Sequence, residues 1–127
     1  MANIGRMSVS YFVRYDITTK DMAAFLRYFR DVHVPLATRW PGLKGVVLHT
    51  PTEWNDPYAI TRGNSVLLAQ FEFDSAAALN RALFSPERAQ TRLNFQNFPA
   101  FAGTVTHQAF TTEAVWTKKE DASANKK

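Results

Sequence analysis

The strongest hydrophobic pattern in the chain runs from residue 22 to residue 36. Its apolar side chains recur at three- and four-residue spacing, which is typical of one face of a helix, and they are Met22, Phe25, Leu26, Phe29, Val32 and Leu36. His33 lies in the same stripe, so the pattern places a titratable ring on an otherwise apolar face. Pro35 lacks a backbone N–H, and its ring clashes with the carbonyl of Asp31. We therefore expect the helix to kink or stop here and to leave His33 beside free backbone carbonyls.

Shorter patterns predict four strands and a second helical region. Strands are expected at 8–15, 45–50, 65–73 and 104–116, where β-branched and aromatic residues are frequent. The expected helix N-caps are Thr18 for the first helix and Asp74 or Ser75 for the second, and Ser85 followed by Pro86 begins another helix. The order is strand, helix, two strands, helical region and strand.

Two connections carry distinct turn signals. Pro41 and Gly42 stand where a type II turn requires them, between Trp40 and the second strand. Residues 51–64 are rich in Pro, Asn, Asp and Gly and predict a long loop. Loops of this length are often functional, as a lid or a pocket rim, and this loop holds Trp54 and Tyr58.

The third and fourth strands predict a sheet with two different faces. One face of the third strand is wholly apolar, and the other combines Leu68 with Gln70 and Glu72. One face of the fourth strand is similarly mixed and holds Val105, His107, Ala109, Thr111, Glu113 and Val115. With helices on only one side of the sheet, we expect this mixed face to be uncovered. A second copy of the chain would cover it and enclose a cavity, which predicts a homodimer.

Composition limits the classes of function. The 127 residues predict one domain over 1–117, and the absence of cysteine excludes disulfides and thiolate metal sites. The first residues lack the apolar run of a secretory signal and no stretch reaches membrane-spanning length, so we expect a cytoplasmic protein without a membrane partner.

The net charge of +4 has little functional meaning. Residues 118–127 hold four of the 15 basic residues, lack large apolar side chains and are expected to be a disordered charged tail. No basic stripe interleaved with aromatic residues is present, so a nucleic acid partner is not expected.

The chain resembles the EthD-like proteins of the dimeric α+β barrel superfamily, over roughly residues 8–117. The residues that carry the resemblance are Phe25, Tyr28 and Phe29, His33-Val34-Pro35-Leu36, Pro41-Gly42-Leu43, Phe71-Glu72-Phe73-Asp74-Ser75, Ser85-Pro86-Glu87, Asn97-Phe98-Pro99 and Phe101-Ala102-Gly103. The resemblance implies a ferredoxin-like βαββαβ fold with an antiparallel sheet. It also implies a dimer whose two sheets form a shared barrel, with an apolar pocket in each subunit.

The same resemblance implies a role near oxidative breakdown of ethers or other xenobiotics. Relatives of this barrel include cofactor-free monooxygenases, isomerases, cyclases, dehydratases and haem-degrading enzymes, and fold alone does not choose among them. No cofactor is expected; haem held by His33 is an alternative by analogy. No spacing in the sequence resembles a metal motif.

His33 is the leading candidate for chemistry, because an imidazole exchanges protons near neutral pH. Its structural alternative is a neutral ring bound to a backbone carbonyl at the Pro35 kink. Tyr28 is a candidate proton donor or dimer contact. The candidate substrate-binding residues are Phe12, Arg14, Trp40, Trp54, Tyr58 and His107.

Two classes of function follow. The first is a cofactor-independent oxygenase, isomerase or dehydratase that acts on a small apolar or aromatic compound, with His33 as the acid or base. The second is a non-catalytic ligand-binding or accessory protein of an oxidative pathway.

Overall fold

The computed structural model describes residues 6–119, which form a four-stranded sheet and a set of short helices. The strands are β1 (Met7–Thr19), β2 (Gly45–His49), β3 (Leu67–Phe73) and β4 (Phe101–Glu113). Their order in the sheet is β2-β3-β1-β4, and every neighbouring pair is antiparallel. The predicted α+β fold with an antiparallel, ferredoxin-like sheet is confirmed.

The helices follow β1 and β3. The first region consists of α1 (Met22–Tyr28), a π-helical turn (Phe29–His33) and α2 (Val34–Ala37). The second consists of α3 (Ala76–Leu83), α4 (Pro86–Leu93) and a 3₁₀ turn (Asn94–Asn97). The core lies between these helices and one face of the sheet, and its largest buried side chains are Tyr15, Phe25, Phe29, Leu67 and Phe73. None of the helices within residues 6–119 combines the length and apolar character needed to cross a bilayer.

The caps of the later helices are as predicted, but the first cap is not. The side chains of Ser75 and Ser85 accept hydrogen bonds from the first turns of α3 and α4. The first helix is capped by Asp21, whose carboxylate accepts a hydrogen bond from the Ala24 N–H. Thr18 is still part of β1, where it pairs with Ala102. The prediction of Thr18 as N-cap is wrong because pairing with β4 extends β1 beyond the predicted end.

Pro35 changes the pitch of the helix without ending it. The Val34 N–H bonds to the carbonyl of Phe29, five residues back, which is the hydrogen bond of a π-helix. Pro35 lies in the first turn of α2, directly after this wider turn, and it has no N–H to bond to the turn before it. The helix then continues to Ala37.

The turn and the loop that follow α2 match the sequence pattern. Gly42 has φ +76°, and the Leu43 N–H bonds to the Trp40 carbonyl at 3.3 Å, as a type II turn requires. Residues 51–64 contain neither helix nor strand, so the predicted long loop is confirmed.

The predicted orientation of β4 is wrong. Val13 pairs with His107, and Tyr11 pairs with Ala109. Directly opposed residues point to the same side of a sheet, and Tyr11 and Val13 belong to the core. The mixed face of β4 that contains His107 is therefore turned toward the helices. The uncovered face of the sheet carries Phe12 and the residues paired beside it.

Residues 118–127 were expected to form a disordered tail. Lys118 and Lys119 follow β4 without helix or strand. The rest of the predicted tail, 120–127, lies outside the described residues.

Candidate functional site

A small cavity lies between the helices and the sheet. Its apolar wall is formed by Tyr11, Val13, Tyr15, Phe29, Trp40, Phe71 and Phe95. Its polar lining residues are His33, Arg88, Thr91, Arg92 and His107. The cavity volume is about 20 Å³, which is room for about one water molecule. An apolar space with a few convergent polar groups is the usual form of a ligand site.

His33 lies deep in this cavity. The side chain is 4% exposed, and its ring centroid is 5.1 Å from the Phe29 and Phe95 rings and 4.7 Å from the Phe98 ring. Burial lowers the pKa of His33, and the positive charge of Arg92 lowers it further, while the hydrogen bond to Asn94 acts in the opposite direction. The ring is therefore neutral at neutral pH.

Two hydrogen bonds set the tautomer of the His33 ring. Nδ1 lies 3.0 Å from Oδ1 of Asn94, and Nδ2 of Asn94 donates to the Tyr28 hydroxyl at 3.0 Å. With the amide in this orientation, Nδ1 carries the hydrogen and donates it, so Nε2 carries the lone pair. Within residues 6–119, Nε2 has no hydrogen-bond partner and is not fully enclosed. His33 can thus accept a proton at Nε2.

Arg88 and Arg92 give the cavity a positive wall. Arg88 donates from Nη2 to the Tyr11 hydroxyl and from Nη1 to the Leu83 carbonyl, both at 3.3 Å. The Arg92 guanidinium lies 5.0 Å from the centroid of the Phe95 ring. The salt bridges of the described chain join Arg14 with Asp16 and Lys44 with Asp74, so neither cavity arginine is paired with a carboxylate there.

The arginines also affect the other titratable groups of the wall. Burial lowers the pKa of His107, and Arg92 and Arg88 lower it further. Burial raises the pKa values of Tyr11 and Tyr15. Both phenols therefore stay protonated at neutral pH. His107 is also exposed, so it lies at the mouth of the cavity, next to the exposed Arg92.

Trp40 forms a fixed part of the wall. Its ring is stacked on Phe71 at 5.0 Å, and its Nε1 donates to the Thr91 hydroxyl at 2.9 Å. Because Thr91 lies in α4, this bond connects the turn after α2 to the helix that carries both arginines.

The structure brings together three of the predicted site residues, which are His33, Trp40 and His107. Tyr28 is not part of the cavity wall, and its hydroxyl is connected to His33 through Asn94. The hydrogen-bond partner of His33 is thus a side chain, whereas the structural alternative for this residue had predicted a backbone carbonyl.

The other predicted binding residues lie elsewhere. Phe12 and Arg14 line a concave area on the uncovered face of the sheet, on the side opposite His33. Trp54 and Tyr58 are exposed in the long loop, where the Arg62 guanidinium lies 4.0 Å from the centroid of the Trp54 ring. Neither loop residue belongs to the cavity wall, so this loop does not form its rim.

The most polar part of the site was not predicted from the sequence. Arg88, Arg92, Asn94 and Tyr11 were not among the predicted residues. One signal was present, because Arg88 and Arg92 are four residues apart in a helix with a clear Ser85-Pro86 start, and therefore share one face.

The cavity does not fit a haem. A space for about one water molecule does not admit a macrocycle. In the part of the chain that the structure describes, no group of three or more His, Asp or Glu side chains is arranged to hold a metal ion.

Comparison with known proteins shows the type of fold. No family model matches the chain, and no curated protein matches it. Among solved structures, an ethyl tert-butyl ether D (EthD) family protein from Bacillus halodurans is 18% identical, with a TM-score of 0.60. The match covers 80% of this chain and 96% of that one.

Two oxygenases have the same architecture. A monooxygenase from the gene ActVA-Orf6 of Streptomyces coelicolor, in complex with nanaomycin D, is 12% identical with a TM-score of 0.62. That match covers 90% of this chain and 95% of that one. SnoaB, a cofactor-independent oxygenase from Streptomyces nogalater, is 16% identical with a TM-score of 0.52, over 91% and 96% of the two chains.

A further neighbour also has a ferredoxin-like fold. A dimeric protein of unknown function with a ferredoxin-like fold, from Bacteroides fragilis, is 10% identical with a TM-score of 0.54, over 87% and 98% of the two chains. The chain therefore has the ferredoxin-like fold of the dimeric α+β barrels, EthD-like proteins among them, as the resemblance in the sequence predicted. At these identities, the likeness establishes the fold and leaves the reaction open.

Proposed function

We propose that the chain binds a small aromatic or apolar compound in the cavity between helices and sheet and acts on it as a cofactor-independent enzyme. The observation that carries the proposal is a neutral, buried His33 whose Nε2 is free to accept a proton. A general base must be unprotonated and fixed in orientation. The lowered pKa keeps this ring unprotonated at neutral pH, and the bond to Asn94 fixes its orientation.

The reaction begins with proton transfer from the substrate to Nε2 of His33. The acidic proton belongs to a phenol, an enol or a carbon next to a carbonyl, and its bonding electrons stay on the substrate as an anion. The imidazolium that forms is held by Asn94 through Nδ1. Return of the proton to another atom gives an isomerisation, and its return to a departing hydroxyl group gives a dehydration with loss of water. In an oxygenation, a carbon of the anion bonds to dioxygen, and the imidazolium returns its proton to the outer oxygen of the resulting peroxide. Loss of water, with the second hydrogen of that carbon, then leaves a carbonyl, so the substrate supplies the four electrons that reduce dioxygen.

The likeness to SnoaB and to the ActVA-Orf6 monooxygenase supports the oxygenase form of the proposal. The likeness to the EthD family protein agrees with the resemblance in the sequence, and that resemblance implies a role near the oxidative breakdown of ethers or other xenobiotics. Neither likeness identifies the substrate.

Ligand entry requires side chains to move, because the cavity holds about one water molecule as it stands. Trp40, Phe29 and Phe71 are buried and packed in the core, and they are the fixed part of the wall. Arg92 is exposed and is not paired with a carboxylate within residues 6–119, so it is the side chain that moves at the lowest cost.

A non-catalytic binding protein is the second candidate. The observation that favours it is the mostly aromatic wall, which retains an apolar ligand without any reaction. Turnover distinguishes the two candidates, since both predict binding.

We also propose that two copies assemble through the uncovered face of the sheet. Phe110 is 44% exposed there and packs edge-to-face on Phe12, at 5.5 Å between ring centroids. Val47 of β2 is 45% exposed. Leu68 and Gln108 share a concave area with Phe12 and Phe110, and a second sheet would remove this area from water.

The test of function compares His33→Gln with His49→Gln. Gln cannot act as a base, and His49 is a matched control because it lies outside the cavity, bonded to Gln70 on the opposite face of the sheet. Small phenols, lactones and aromatic acids are screened by thermal shift, and compounds that bind are assayed for turnover under air and under nitrogen.

We expect the wild type and His49→Gln to turn over at least one compound, and His33→Gln to lose turnover by about 100-fold or more while it remains folded. Binding without turnover in the wild type would favour the second candidate. Equal turnover in His33→Gln and wild type would overturn the role of His33.

A further inference from the structure

We infer that the ligand of the cavity is an anion and that Arg88 is the residue that recognises its charged group. This inference rests on the proposed function, since it specifies the ligand of the same site. It concerns the charge of the ligand, and it can be tested independently of the role of His33.

The hydrogen bonds of Arg88 are incomplete. Its Nε is the one buried side-chain nitrogen or oxygen without a hydrogen-bond partner in the described chain. Its Nη1 and Nη2 bond only to neutral acceptors, the Leu83 carbonyl and the Tyr11 hydroxyl, and both bonds are long at 3.3 Å. Buried donors are almost always satisfied, and a guanidinium is satisfied best by a two-oxygen anion that bonds to two of its N–H groups.

The surroundings of Arg88 also favour an anion. Arg92 lies one turn further along α4 and lines the same cavity, and the cavity wall holds no Asp or Glu. The remaining titratable wall groups, His33, His107 and the two tyrosines, are neutral at neutral pH. The wall thus has two positive charges and no negative charge, which raises the local concentration of anions.

The arginines are also accessible from outside. Besides the cavity, Arg88 and Arg92 line a groove on the surface of α3 and α4, next to the exposed side chains of Phe84 and Leu93. A ligand that approaches along α4 therefore meets both guanidinium groups before it reaches His33. Once wall side chains have moved to admit it, an aromatic carboxylate would place its two oxygens on Arg88 and its ring against the aromatic wall.

The experiment compares benzoate with benzamide, which has nearly the same shape and no charge. Binding to the full chain is measured by titration calorimetry at neutral pH and low salt, for the wild type, Arg88→Gln, Arg88→Lys and Arg81→Gln. Arg81 is a matched control, because it is an exposed arginine of α3 that is not part of the cavity wall. Circular dichroism verifies that each variant is folded.

We expect the wild type and Arg81→Gln to bind benzoate at least about tenfold more tightly than benzamide. Arg88→Gln should lose this preference, and Arg88→Lys should recover only part of it, because an ammonium cannot form the two parallel bonds of a guanidinium. A wild type that binds both compounds equally would overturn the inference and leave the proposed function standing. An undiminished preference in Arg88→Gln would overturn the role of Arg88, and absence of binding by any aromatic compound would overturn both proposals.

Discussion

Nδ1 of His33 lies 3.0 Å from Oδ1 of Asn94, although 61 positions separate the two residues in the chain. The π-helical turn that ends at His33 and the 3₁₀ turn that begins at Asn94 meet at this bond. Because Asn94 also donates to Tyr28, the amide has a partner at each end. The orientation and the protonation of the candidate base therefore depend on one amide outside the predicted motif.

Two different substitutions of Asn94 should shift the pKa of His33 in opposite directions. Asn94→Asp places a carboxylate at Nδ1 and should raise this pKa, because an adjacent negative charge favours the imidazolium. Asn94→Leu removes a hydrogen bond that raises the pKa, so the pKa should fall further. Titration of the His33 ring by NMR measures this pKa in both variants and in the wild type. If the His33 titration curves of the two variants were identical, Asn94 would not control the pKa of His33.

Tyr28→Phe tests whether Tyr28 acts on the substrate or on Asn94. The change removes the acceptor of the Asn94 Nδ2 hydrogen bond, so the free energy of unfolding should fall by about 0.5–1.5 kcal/mol. A residue that only positions Asn94 should lower turnover only several-fold and shift the pH profile of turnover together with the His33 pKa. A large loss of turnover with an unchanged pH profile would show instead that the hydroxyl acts directly, as the sequence suggested.

Stability should decrease as the pH falls below neutrality. The native pKa values of His33 and His107 are lowered, while the unfolded chain binds protons near the ordinary value of 6.5. Below that pH the unfolded state binds more protons than the native state, so the stabilisation present above about pH 6.5 is lost as the pH falls toward the native values. Thermal unfolding from about pH 8 to about pH 5 measures the slope. His33→Gln should reduce the dependence of stability on pH. If the slope in this variant equalled that of the wild type, the pH dependence would belong to other groups.

The local parts of the fold could be predicted from the sequence because their signals are local. The apolar stripe from Met22 to Leu36, the alternation in β3 and the glycine of the Trp40–Leu43 turn each depend on neighbours within a few positions. The cavity depends instead on which face of each strand the helices cover. Alternation shows that Phe12 and Arg14 share a face, but the pairing of Val13 with His107 decides which face that is.

Arg88 and Arg92 of α4 were not predicted as site residues, for a related reason. In sequence, residues 86–93 are strongly polar, and this composition is typical of a solvated surface helix. The bond from Trp40 Nε1 to Thr91 holds this polar helix against the cavity, where Arg88 and Arg92 become part of the wall. That a polar helix closes an aromatic site can be recognised only once its tertiary contacts are known.

Gly103→Ala should destabilise the sheet strongly. Gly103 has φ +127°, and a Cβ built there would lie 2.4 Å from the Asp16 carbonyl oxygen and 2.8 Å from the Cα of Ile17. Both atoms are backbone of the paired strand β1, so relief requires the two strands to separate locally. We expect a loss of about 3 kcal/mol or more in the free energy of unfolding.

Gly45→Ala is the matched control for this change. Gly45 is also a strand glycine, and a Cβ there would contact nothing within 4 Å. Urea unfolding of both variants gives the comparison, and we expect Gly45→Ala to be close to the wild type. Equal stabilities of Gly103→Ala and Gly45→Ala would show that the close approach of β4 to β1 at Gly103 does not occur in solution.

Phe110→Glu should weaken assembly of two copies through the uncovered sheet face. The substitution places a charge beside Phe12, on the surface that the second copy is proposed to cover, and a buried unpaired charge opposes association. Phe84→Glu is the matched control, because Phe84 is 87% exposed and lies on the helical side. In sedimentation velocity, we expect the wild type and Phe84→Glu to be dimers. The dissociation constant of Phe110→Glu should increase by about 30-fold or more, since loss of a central apolar contact typically costs about 2 kcal/mol. A wild type that stays monomeric at high concentration would contradict the dimer, and an unchanged dissociation constant in Phe110→Glu would place its interface on another surface.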